Sequence, residues 1–91
     1  MRRIIEETER VRITEVLYEP DVPRDSYIRP TDQVVVFLDD CEFDRIDADT
    51  GEHLRRTRKS GETLCHAKGE RAPVLVNRGA SPFRTLLIEL K

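Results

Sequence analysis

Few side chains in this 91-residue sequence can do chemistry, and they are scattered along it. Arg29 offers a planar guanidinium fork that matches a carboxylate or a phosphate. Tyr27 and Gln33, close to it in sequence, can orient a polar ligand. His66 is the one histidine on a core-type strand, so acid–base chemistry would rest on it, with Tyr27 or Tyr18 as the acid. No carboxylate that would orient His66 stands out. Cys65 as a nucleophile would need a base beside it, and His66, next along a strand, points to the opposite face. Cys41, His53, Cys65 and His66 are the only soft or imidazole ligands, and their spacing matches no zinc motif. They read as apolar cysteine and surface histidine.

Composition narrows the classes. One domain spanning residues 1–91 is expected, because a second core would not fit. A domain this short buries only about 60–70% of its unfolded surface, so a partner subunit would add stability. Net charge is −2 with both signs interspersed, which argues against a nucleic-acid or anionic-membrane surface. The basic run Arg55-Arg56-Thr57-Arg58-Lys59 lies near Asp47, Asp49 and Glu52 and reads as a solvated hairpin. No apolar stretch approaches the ~20 residues of a membrane-spanning helix, and acidic residues follow Ile4 and Ile5 where a signal peptide needs an apolar core. A cytoplasmic location is expected, and two cysteines are too few for a disulfide scaffold.

The elements that must hold these side chains are strands. Met1 to Arg10 has room for one turn of helix. Val11, Ile13 and Leu17 share a parity opposite Arg10, Arg12 and Thr14, the pattern of a half-buried strand. Ser26 to Arg29 forms a short strand stopped by Pro30. Val34 to Leu38 is continuously apolar and reads as a central strand buried on both faces. Asp39-Asp40 turns the chain into Cys41–Ile46, and Asp49-Thr50-Gly51-Glu52 and Ser60-Gly61-Glu62 are further turns. Pro73 to Val76 and Phe83 to Leu90 are the last strands, separated by the turn-rich stretch from Asn77 to Pro82. Short strands at regular spacing imply a sandwich or barrel.

From Val11 to Leu90 this order resembles the small single-domain cupins, jelly-roll barrels also described as double-stranded β-helices. The segments that carry the likeness are Arg12–Val16, Asp32–Leu38, Gly61-Glu62-Thr63 and Thr85–Leu90. The family's first motif holds two histidines and a glutamate between two glycines. Here its glycines fall at Asp21 and Asp40, its histidines at Tyr27 and Arg29, and its glutamate at Gln33. Aspartate can stand in for a turn glycine because it tolerates the left-handed region. In the second motif Gly61 and Gly69 fit, Ala67 replaces a proline, Asn77 falls one residue late, and Ala72 or Pro73 takes the third histidine's place.

The resemblance implies an all-β, cupin-like barrel and a homodimer, with the parity of Val34, Val36 and Leu38 supplying sheet-to-sheet or subunit packing. It also implies a metal centre that these residues do not suit. A phenol with a pKa near 10, a fixed cation and a neutral amide cannot replace imidazoles and a carboxylate. No metal or cofactor is therefore expected. If the strands follow the family, Tyr27, Arg29 and Gln33 share a parity and line the barrel mouth. With His66 they form the candidate site for a small anionic ligand in a non-catalytic protein. The competing structural reading pairs Arg29 with Glu19 or Glu89 as a plug and ranks slightly ahead. Two rivals remain: acid–base chemistry of isomerase or lyase type on His66 and Tyr27, and a purely structural subunit with no ligand-sized pocket.

Overall fold

The computed structural model describes residues 1–91, all in strands, turns and loops. Ten strands follow in order: β1 (Arg2–Glu7), β2 (Val11–Tyr18), β3 (Tyr27–Ile28), β4 (Asp32–Phe37), β5 (Cys41–Ile46), β6 (His53–Arg58), β7 (Thr63–His66), β8 (Arg71–Ala72), β9 (Val74–Asn77) and β10 (Phe83–Leu90). No helix is long and apolar enough to cross a membrane. A five-stranded sheet runs β1-β2-β10-β4-β7, a three-stranded sheet runs β6-β5-β9, and β3 pairs with β8. All named strand pairs are antiparallel.

The two larger sheets close on a core of stacked aromatic rings. Phe37 on β4 faces Phe43 on β5 with ring centroids 6.0 Å apart, while Phe83 stacks on Tyr18 at 4.8 Å. Phe83 is 1% exposed and touches all three other rings. Such rings bury more apolar area than any aliphatic side chain, so they carry much of the packing energy of so short a chain. Asn77 closes the structure beside them. Its amide donates to the carbonyls of Tyr18 and Ser81, both at 2.9 Å, and its oxygen accepts the Gly79 N–H at 2.8 Å. One buried side chain thus ties the β9–β10 turn to the end of β2.

The turns sit where glycine and aspartate chemistry puts them. Gly61, between β6 and β7, has φ +91°, a conformation that a Cβ disfavours. Asp21 takes φ +62° at the first glycine position of the motif, the substitution that aspartate tolerates.

Three expectations are corrected. Met1 to Arg10 contains no helical turn. Arg2–Glu7 is strand β1, because pairing with the free edge of β2 satisfies its backbone where an isolated short helix would not survive. In β2 the core parity is Thr14, Val16 and Tyr18, and the apolar set Val11, Ile13 and Leu17 faces outward. Both faces of β2 are apolar enough for alternation to mislead. β4 is not buried on both faces: Gln33 and Phe37 are buried, whereas Val34 and Val36 are half-buried on the outer side.

Candidate functional site

Inside the barrel lies a cavity of about 140 Å³, close to the size that admits a benzene ring. Strand parity decides what faces it. On β4, Gln33, Val35 and Phe37 point inward, and the β7 register sets His66 opposite Gln33 and Leu64 opposite Val35. Cys65, opposite Val34, turns outward as strand geometry requires.

Tyr27, Arg29 and Gln33 form one hydrogen-bonded group. Arg29 Nη1 donates to Gln33 Oε1 at 2.8 Å and lies 3.4 Å from the Tyr27 hydroxyl, which donates to the same Gln33 oxygen at 3.3 Å. The backbone of Arg29 is held on both sides, its N–H donating to Glu70 O and its carbonyl accepting Gly69 N–H, both at 2.9 Å. The Tyr27 ring stands 5.5 Å from the Arg24 guanidinium carbon and 5.7 Å from that of Arg29, within cation–π range of both.

Arg29 is 5% exposed, and no carboxylate lies within 4.0 Å of it. The expected plug, Arg29 paired with Glu19 or Glu89, is not formed. Glu89 sits opposite Gln33 in register, and its charge acts on Arg12 instead. Burial pulls the Arg29 pKa down, though a guanidinium starts so high that it stays charged at neutral pH. Its buried Nε has no partner. A desolvated cation with unused donors is an anion receptor in waiting.

His66 lies in the same cavity, and Glu70 is the carboxylate that sequence reasoning missed. Glu70 Oε2 stands 3.7 Å from His66 Nδ1, a charge contact too long for a hydrogen bond. Burial first, then the Arg29 charge, holds the His66 pKa below its ordinary value, so the ring is neutral at pH 7. His53 is exposed at the start of β6, and the Tyr18 hydroxyl accepts from Arg24 Nη1 at 3.2 Å. Both cysteines are free; burial pushes the Cys41 thiol up to about 11.

Sequence reasoning also missed several cavity arginines. Arg24 reaches in from the β2–β3 connection, where no periodicity announces it, and donates to Pro73 O at 2.6 Å. The run at Arg55–Lys59 splits by strand parity. Arg55 faces outward onto Glu42 and Asp44, while Arg56 and Arg58 line the cavity. The i, i+2 spacing of Arg56 and Arg58 was the available signal.

A divalent metal does not fit these residues. A guanidinium sits in the donor set and holds the Gln33 oxygen, Pro73 lines the cavity near the third histidine's place, and fully buried Ala72 faces Tyr27 across β3–β8. Nowhere do three His, Cys, Asp or Glu side chains converge.

No protein-family model and no curated protein matches the sequence. Solved structures do. A cupin-domain protein from Bordetella pertussis Tohama I superposes with a TM-score of 0.85 at 19% identity, covering 100% of this chain and 92% of that one. The polyketide cyclase RemF from Streptomyces resistomycificus gives 0.76 at 16% identity, over 98% of this chain and 63% of its own. A conserved protein with a double-stranded β-helix domain from Klebsiella pneumoniae gives 0.70 at 17% identity, over 99% and 76%. With its antiparallel sheets closed around one aromatic core, this chain has the small cupin fold.

Proposed function

We propose that this chain is a non-catalytic cupin-fold protein that holds a small anionic metabolite in its barrel without a metal ion. The observation that carries the reading is Arg29: buried, charged, without a carboxylate, fixed by Gln33 and Tyr27, and lining the cavity. Arginine recognises planar anions through just such a fixed fork. Thermal unfolding in butyrate, in inorganic phosphate and in chloride of equal ionic strength tests it. One of the two anions raises the Tm of the native chain, and Arg29→Ala loses that rise. Equal Tm values in all three salts would overturn the reading.

The outer face of the five-stranded sheet supports a homodimer. Val11, Ile13, Val34, Val36, Leu86 and Ile88 share it, and each is only half-buried. A self-complementary apolar sheet face suits a two-fold contact, which a chain this small gains stability from. Sedimentation of the native chain and of Ile88→Glu checks this: a dimer that becomes a monomer supports it, and a native monomer sinks it. The reduced cysteines suit a cytoplasmic protein.

One observation favours a second reading. Neutral His66 has Glu70 beside it and shares the cavity with Tyr27, the layout of a general base and acid for isomerase- or lyase-type chemistry. Deuterium exchange into bound organic acids, followed by NMR, separates the readings. Exchange that vanishes in His66→Asn marks an enzyme, and its absence in the native chain ends the idea.

A further inference from the structure

Most of the arginines fall into two populations. Arg3, Arg12, Arg55, Arg78 and Arg84, away from the cavity, each pair with a carboxylate at 2.5–3.4 Å. Arg2, Arg24, Arg29, Arg45, Arg56 and Arg58 have no carboxylate within 4.0 Å, and all six line the cavity together with Arg71, which reaches Asp49 only at 4.0 Å. Partners are not scarce, since 18 acidic residues face 16 basic ones along the chain. Like charges gathered around one cavity repel, and Glu70 is the one carboxylate lining it, so the arrangement is short of the counter-charge it needs.

Two of the six stand out as anchors. Arg29 and Arg58 each have a buried Nε with no partner, and Arg58 makes no side-chain hydrogen bond at all. Arg24 also has a bare Nε, but its other nitrogens are already engaged by Tyr18 and Pro73. Arg29 is bonded to Gln33 near the start of β4. Arg58 lies opposite Cys41, just past the turn that leaves the other end of β4 at Phe37. Four residues of strand, roughly 13 Å of backbone, separate the two stations. Between them the inward wall is apolar, with Val35, Leu64 and Phe43.

We propose that the ligand is a compact dicarboxylate, one carboxylate on Arg29, the other on Arg58, its short carbon linker against Val35, Leu64 and Phe43. This deepens the anion-binding reading and rests on it. A monocarboxylate leaves one anchor empty. Inorganic phosphate concentrates its charge on one centre and offers no second carboxylate for the other anchor. The cavity of about 140 Å³ limits the linker to a few carbons or one ring.

Calorimetric titration with succinate, glutarate, adipate, isophthalate, butyrate and inorganic phosphate tests this on the native chain, Arg29→Gln and Arg58→Gln. At least one diacid binds the native chain about tenfold or more tighter than butyrate, the scale of one added charge-assisted contact. Arg58→Gln removes the advantage of that diacid over butyrate, and Arg58→Lys retains part of it. Arg29→Gln loses butyrate and diacid together. Melting of the ligand-free variants verifies that each is folded, and the lysine variant carries the test if the glutamine one is not. Equal binding of butyrate and all diacids, or phosphate binding above every diacid, overturns the dicarboxylate while leaving the anion site at Arg29 standing. No binding of any of the six overturns both.

Discussion

Replacing Arg29 by methionine separates the two roles open to a buried guanidinium. Burying the cation without a carboxylate costs several kcal/mol after relaxation, and its unpartnered Nε adds about 1–3 kcal/mol. Against that stand the 2.8 Å bond to Gln33, about 1.5–3 kcal/mol for a charged donor, and the Tyr27 contact at 5.7 Å, about 0.5–2 kcal/mol. Taken at the middle of these ranges, the balance is unfavourable by about 2–3 kcal/mol. Methionine keeps the length and apolar stem, removes the charge, and leaves the Gln33 oxygen its Tyr27 donor at 3.3 Å. Ligand-free Arg29→Met should therefore be more stable, by roughly 4–8 °C in Tm for each kcal/mol in a domain of this size. Urea titration should move the midpoint upward at unchanged slope. Stabilisation by anions should vanish in the same variant. Stability gained as binding is lost marks a site held against the interests of the fold. A lower Tm for ligand-free Arg29→Met would refute the reasoning and make Arg29 a structural plug.

Other consequences are checked as directly. Phe83→Ala removes the ring that contacts Tyr18, Phe37 and Phe43 and should cost about 3–5 kcal/mol in urea unfolding, enough to leave much of the chain unfolded. Arg55 and Arg78 hold the Asp44 carboxyl down at about 2. A depressed pKa gives stability that is complete above the ordinary carboxylate range and is lost as pH falls toward about 2, so Asp44→Asn should flatten that acid limb in a pH series of melts. Iodoacetamide should modify exposed Cys65 quickly at pH 8, whereas the Cys41 rate should stay low and climb about tenfold per pH unit up to about 11, followed by intact mass. Comparable rates for the two thiols at pH 8 would show that Cys41 is not shielded.

Much of the barrel is legible along the chain because turns and strand ends are local chemistry. Phe83–Leu90 is bounded by Pro82 and the end of the apolar alternation, and Asp21 takes its left-handed turn for a reason internal to aspartate. The meeting of Tyr27, Arg29 and Gln33 follows once a barrel is assumed, since they share a parity across a proline-stopped strand. What stays hidden depends on which face is inside. β2 and β4 carry apolar side chains on both faces, so alternation cannot choose between Ile13 and Val16. β6 is polar on both faces, so Arg56 and Arg58 look like their solvated neighbour Arg55 until the register with β5 is known. Glu70 meets His66 only through a turn, and β1 is a strand only because β2 offers it an edge.

The strand order carries a consequence for the time course of folding. β10 lies between β2 and β4, with Thr85 opposite both Val16 and Phe37. Neither β2 nor β4 can complete its ladder until Phe83–Leu90 has been made and inserted. Until then two apolar strands present unpaired edges, the condition that favours association with another chain. Such distant pairing predicts slow, late closure on the millisecond-to-second scale of β topologies. Loss of β10 would accordingly divide the larger sheet, where loss of β1 would only trim its rim.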